Sequence, residues 1–210
     1  MALSLCLAAG ACSHGQTTAS QPAPQAASNH QTTSAGTSKK TANGQYPYTD
    51  ADVNFMTGMI AHHSQALVMA GWAPSHGASP SVRTLCERII NGQQDEIATM
   101  QRWLNDRGLP VPEAKPMKMD MGSHHAMMPG MLTDEQMKDL DQARGPEFDR
   151  KFLTYMIQHH KGAITMVQQL FGTNGAAQDE ATFKMANDVS ADQTTEIARM
   201  QSMLAALPPA

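Results

Sequence analysis

Apolar positions recur along this chain at three- and four-residue spacing, without convincing strict alternation, so the pattern predicts helices and no strands. A first helix is expected from about Asp50 to about Ala70, where Gly71 and then Pro74 stop it. A second has Ser79 as its cap and Pro80 at its first position. It carries the stripe Val82, Leu85, Ile89, Ile97, Met100 and Leu104 and ends at Arg107, Gly108 and Pro110. Thr133 and Gln136 have capping-box spacing and open a short helix. A long helix follows from about Pro146 to Phe171, closed by Gly172, and a last one from about Ala177 to Leu207, before two prolines.

The polar positions inside these helices repeat. Residues Phe55 to Met69 are matched by Phe152 to Met166, 97 positions later. Met59, His62, His63 and Met69 thereby fall on Met156, His159, His160 and Met166. Asp52 and Asp149 precede the two copies at equal distance. On the partner helices Gln93, Glu96, Ile97 and Met100 recur as Gln193, Glu196, Ile197 and Met200, an offset of 100. Short turns within each pair make its helices antiparallel neighbours, and the long segment from Gly108 to Pro146 joins the pairs. Two such hairpins with one long connection predict an all-α, ferritin-like four-helix bundle.

At about 100° per residue, Met59 and His63 lie central on one stripe, with His62 and Met69 flanking it. Met156 and His160, flanked by His159 and Met166, repeat the arrangement. Met59 and His63 are therefore expected to face Met156 and His160 across the interior. Met56, Met100 and Met200 read as core packing. Burying imidazoles is costly without partners. Glu96 and Glu196 are candidate partners for a purely structural network, and metal ligation is the other reading.

Composition sharpens this picture. Seventeen methionines stand against three tyrosines and two tryptophans. Six methionines and two histidines are packed into fifteen connection residues: Met117, Met119, Met121, His124, His125, Met127, Met128 and Met131. No apolar stripe explains them, so they are expected to be exposed and to capture a soft ion. Thioether and imidazole donors together favour Cu(I) or Ag(I). The candidate ligands are these eight residues with Met59, His62, His63, Met69, Met156, His159, His160 and Met166.

The N-terminal part is of another kind. Residues 1–12 resemble the apolar and small-residue end of an export signal, with Cys12 placed as in a lipoprotein box although Ala9 stands where leucine is usual. The usual basic start is missing, so the true start is expected upstream. Lipidation at Cys12 is expected, and plain export is the alternative. Residues 13–45 are rich in Ser, Thr, Gln, Ala, Pro and Gly and read as a flexible linker, leaving 46–210 as the bundle domain. The expected location is thus periplasmic or membrane-tethered. Cys86 is alone in the domain, so no internal disulfide is expected. A net charge of -4 without a basic patch argues against nucleic acid.

Met-Ile-x-His-His-x-x-Ala-x-x-Met, present twice, resembles the domain-of-unknown-function 305 family of bacterial exported proteins. The stretches Pro129–Gln136 and Gly145–Asp149 are similar to that family too, and the resemblance covers about Asp50 to Leu204. It implies a ferritin-like bundle, exported, with some members binding copper or silver in metal tolerance. The second copy carries Gly162-Ala163 where the first has Gln65-Ala66, a minor departure.

The function expected is binding rather than catalysis: sequestration or chaperoning of Cu(I) or Ag(I). A copper efflux or delivery protein is the candidate recipient. The alternative is a bundle adaptor whose His–Glu clusters are structural. A di-metal oxidase needs Glu-x-x-His, and no glutamate here has a histidine three residues on. Covalent haem would need Cys-x-x-Cys-His, which is absent, leaving only non-covalent haem.

Overall fold

The structure, a computed structural model, describes residues 48–114 and 128–208. The export segment, the linker, Met117, Met119, Met121, His124, His125 and Met127 lie outside the described residues. Five helices follow in order: α1 (Asp50–Gly71), α2 (Pro80–Asp106), α3 (Asp134–Gln142), α4 (Pro146–Phe171) and α5 (Glu180–Ala206). Among the described residues there is no strand.

Local chemistry explains most boundaries. Thr49 caps α1 and Thr133 caps α3, each through a complete capping box that satisfies otherwise orphaned N–H groups. Proline occupies the first turn of both α2 and α4. The last helix starts at Glu180 rather than near Ala177. Ala177 has a left-handed φ of 55°, which a helix excludes, and Asp179 caps α5 by accepting from Thr182 N at 3.1 Å.

α1 packs with α2 and α4 with α5, and the two hairpins meet along α1 and α4. Met59 and Ile60 of α1 share a core cluster with Ala163, Met166 and Val167 of α4. Ala66, Met69 and Ala70 share the other with Phe152, Leu153 and Met156. The two helices therefore run antiparallel, and the connection must travel the length of the bundle between hairpins. Met56, Met100 and Met200 are buried in these clusters, as the helical stripes predicted.

The repeated aspartates tie the hairpins together. Asp149 of α4 accepts from the backbone N–H of Ser79, the cap of α2, at 3.2 Å. Its counterpart Asp52 of α1 accepts from Ala177 N, just before α5, at 2.7 Å. Each carboxylate thus grips the turn of the opposite hairpin, and Asp52 also holds Thr49 N at 2.6 Å.

The returning connection is clamped onto the α1–α4 seam. Gln65 accepts from Leu132 N at 2.8 Å and donates to Leu132 O at 3.0 Å. Opposite it, a Cβ on Gly162 would lie 1.9 Å from Pro129 O and 2.5 Å from Gly130 Cα, so only glycine admits the chain there. The departure between the two repeat copies is therefore meaningful: Gln65 and Gly162 differ because one grips the crossing strand of chain and the other makes room for it.

Candidate metal centre

Between the two core clusters lies a layer of four buried imidazoles, His62, His63, His159 and His160. Adjacent histidines on one helix point about 100° apart, so each pair spreads between the α1–α4 seam and its partner helix. The His62 and His159 rings meet at the seam with centroids 3.8 Å apart. Their neighbours turn outward: His63 donates from Nε2 to Glu96 Oε2 at 2.7 Å, and His160 to Glu196 Oε2 at 2.6 Å. His62 Nε2 donates to Pro129 O and His159 Nε2 to His62 O, both at 3.0 Å.

All four Nε2 partners are carbonyl or carboxylate oxygens, which accept and do not donate, so every ring carries its proton on Nε2. The four Nδ1 atoms are buried and have no hydrogen-bond partner in the protein. In a neutral ring that nitrogen is a free lone pair. Burial, then the neighbouring His63, lowers the His62 pKa to about 3, against the raising effect of its hydrogen bond to the Pro129 carbonyl. Burial and His62 push His159 well below the usual histidine range, and burial lowers His160 despite Glu196. These three rings are thus neutral at pH 7, the state that binds metal. A second nitrogen anchored to an oxygen is also how proteins orient metal-binding imidazoles.

The thioethers fall on both sides of this layer, though not in the pairing expected. Met59 shares its cluster with Met166, and Met156 shares the other with Met69. The antiparallel register slides Met59 and Met156 to opposite sides of the histidines, whereas a wheel drawn per helix carries no register. His63 and His160, expected to face one another, each turn to the glutamate of their own hairpin, and the flanking His62 and His159 are the pair that meets across the seam.

The connection methionines need a correction as well. Met131 is 5 % exposed and belongs to the interior, and Met128 packs partly buried against the cluster that holds Met59 and Met166. A Cβ on Gly58 would lie 3.4 Å from both Met128 Sδ and Met166 Cε, which places Met128 beside a bundle thioether. The clamp at Gln65 and Gly162 draws these two residues inward. Composition suggested exposure, but the tertiary path overrides it.

Among the described residues no three His, Cys, Asp or Glu side chains group as a metal cage. A soft ion at the layer would draw on imidazole nitrogen together with thioether sulfur. Cys86 offers no thiolate, because burial, then Asp149 and Glu87, pushes its thiol up to about 12. The Pro129 carbonyl that fixes His62 was missed from the sequence; the Gln65/Gly162 departure from the repeat is the one signal that could have found it.

Fold and site together define a four-helix bundle of two repeated hairpins with a buried histidine layer across its middle. The chain belongs to the family described as Domain of unknown function (DUF305), which matches residues 52–204. A DUF305 protein from Streptomyces coelicolor, named as secreted, is 29% identical, with a TM-score of 0.63 over 74% of this chain and 92% of that one. A DUF305 fragment from Deinococcus radiodurans is 28% identical, with a TM-score of 0.65 over 76% of this chain and 99% of that one. CopM in its Cu(II)-bound form is 29% identical, with a TM-score of 0.59 over 73% of this chain and 95% of that one. CopM has also been solved with Cu(I) and with Ag. A metal-related role is therefore present in the family. The chain spans 38% of the length of a curated relative, protein L153 of Acanthamoeba polyphaga mimivirus, at 38% identity over 58 residues, 28% of this chain.

Proposed function

We propose that this protein is an exported binder of Cu(I) or Ag(I), acting in sequestration or delivery during metal tolerance and catalysing no reaction. The observation that carries this reading is the set of four buried imidazoles whose Nε2 protons are committed to oxygen and whose Nδ1 atoms are unpartnered. Thioethers of Met59, Met166, Met69 and Met156 lie in the cores on either side. Soft sulfur with borderline nitrogen suits a monovalent coinage-metal ion. The metal-bound forms of CopM support the same reading. The methionines and histidines of the connection other than the buried Met131 would collect ions, Cys12 would tether the protein by a lipid, and an efflux or delivery protein would receive the cargo.

The rival reading, a structural adaptor, draws on the His63–Glu96 and His160–Glu196 pairs. One titration separates the two. Ag(I) should raise the melting temperature by mass action, and ion counting by native mass spectrometry should find it bound. The experiment uses a variant with Met117, Met119, Met121, Met127 and Met128 changed to Leu and His124 and His125 changed to Ala, so that the bundle alone reports; Met131 is left in place as core. His63→Ala and His160→Ala should each shrink the shift. An unshifted melting temperature in that variant would sink the bundle site. Detergent partitioning lost in Cys12→Ser checks the tether.

A further inference from the structure

We infer that the groove between α2 and α5 is a second cation site, taking a divalent ion with oxygen ligands from Gln93, Glu96, Gln193 and Glu196. These four are the repeat's Gln-x-x-Glu, present once on each helix at an offset of 100. Three residues apart on a helix is one face, and α2 and α5 meet sparsely, which leaves a cavity of about 180 Å³ lined by all four.

The two glutamines set this groove apart from an ordinary acidic surface. Gln93 is 3% exposed and Gln193 1%, yet both amide atoms of Gln93 and Oε1 of Gln193 lack a partner in the protein. A buried carboxamide oxygen without a hydrogen bond is costly, and here two are brought to the same cavity. Glu96 adds a buried, unpartnered Oε1. Its Oε2, like that of Glu196, is held from behind by a histidine N–H, so both carboxylates are oriented with acceptor capacity to spare.

Charge points the same way. The lining includes Asp192 besides the two glutamates, and Arg88 is its one cation. Three carboxylates against one guanidinium leave an unmatched double negative charge. Two carboxylates with two carboxamide oxygens form a hard donor set with room for water, which favours Mg²⁺, Ca²⁺ or Mn²⁺ over Cu(I) or Ag(I). The ion would sit on the far side of Glu96 and Glu196 from His63 and His160, so the soft and hard sites would share a wall without sharing ligands.

Mn(II) is the probe, added to the full chain and followed by loss of its free-ion EPR signal and by calorimetry. One bound ion is expected. Gln93→Leu and Gln193→Leu should each weaken it by at least about tenfold without lowering the metal-free melting temperature, since each removes an unsatisfied buried amide oxygen. Gln93→Glu should act oppositely, tightening Mn(II) by about tenfold through added ligand charge. Ag(I) counts should be unchanged in all three variants, and Ag(I)-loaded protein should still take up Mn(II). Absence of Mn(II), Mg²⁺ and Ca²⁺ binding at millimolar concentration would overturn the inference. So would binding indifferent to Gln93 and Gln193, or binding abolished by Ag(I).

Discussion

Replacing Gly162 with alanine tests whether the clamp on the connection organises the site. In an open helix this change would stabilise by about 1 kcal/mol, because alanine restricts the unfolded chain and favours helix. Here the new Cβ would lie 1.9 Å from Pro129 O, 2.4 Å from Pro129 C and 2.5 Å from Gly130 Cα. All three are backbone atoms, so no rotamer relieves the overlap, and the connection must lift by more than about 1 Å to reach ordinary contact. Lifting breaks the His62–Pro129 bond and strands a buried N–H, at about 1–3 kcal/mol. It also breaks both Gln65–Leu132 bonds, at about 1 kcal/mol each. Set against the helical gain, the net loss is about 2–4 kcal/mol, or a melting temperature lower by roughly 6–12 °C for a domain of this size. Thermal unfolding followed by far-UV circular dichroism measures it. Gly58→Ala is the control. Its Cβ would meet only Met128 Sδ and Met166 Cε at 3.4 Å, side-chain ends that can give way, so no loss is expected. An unchanged or higher melting temperature in Gly162→Ala would refute the clamp.

Two further outcomes follow from the buried polar groups. Between the folded-state value of about 3 and the unfolded value of 6.5, His62 binds a proton only when unfolded. Stability should be fully present above about pH 6.5 and fall as the pH drops, by about 1.4 kcal/mol per unit from His62 alone. His159 and His160 shift in the same direction and steepen the fall; denaturant midpoints flat from pH 7 to 5 would contradict their buried, neutral state. Asp52→Ala should cost about 3 kcal/mol, because Thr49 N, Thr49 Oγ1 and Ala177 N all lose a buried carboxylate. Asp149→Ala should cost less, since its bonds to Ser79 N are 3.2 and 3.3 Å, and equal losses in urea titrations would count against the hairpin-locking role.

What could be read from the chain alone was whatever depends on neighbours a few residues apart. Capping at Thr133, proline at helix starts and the stripe through Leu85, Ile89 and Met100 are local, so four of the five helices begin where the pattern put them, although Ser79 holds the N-cap position of α2 without a side-chain capping bond. The doubled Met and His motif likewise announced both the two-hairpin bundle and the buried histidines, because a repeat in sequence becomes a repeat in space. The last helix began later than read, since the Asp52–Ala177 bond, spanning both hairpins, holds Ala177 out of helical conformation.

The tertiary structure alone decided the rest. Antiparallel register put Met59 in one core cluster with Met166 and left Met156 in the other with Met69. The path of the connection buried Met131 and brought the Pro129 carbonyl to His62. Those partners set which imidazole nitrogen holds the proton and which is left free. Register, path and tautomer depend on residues 30 to more than 100 positions apart, and helical periodicity carries no information across such distances.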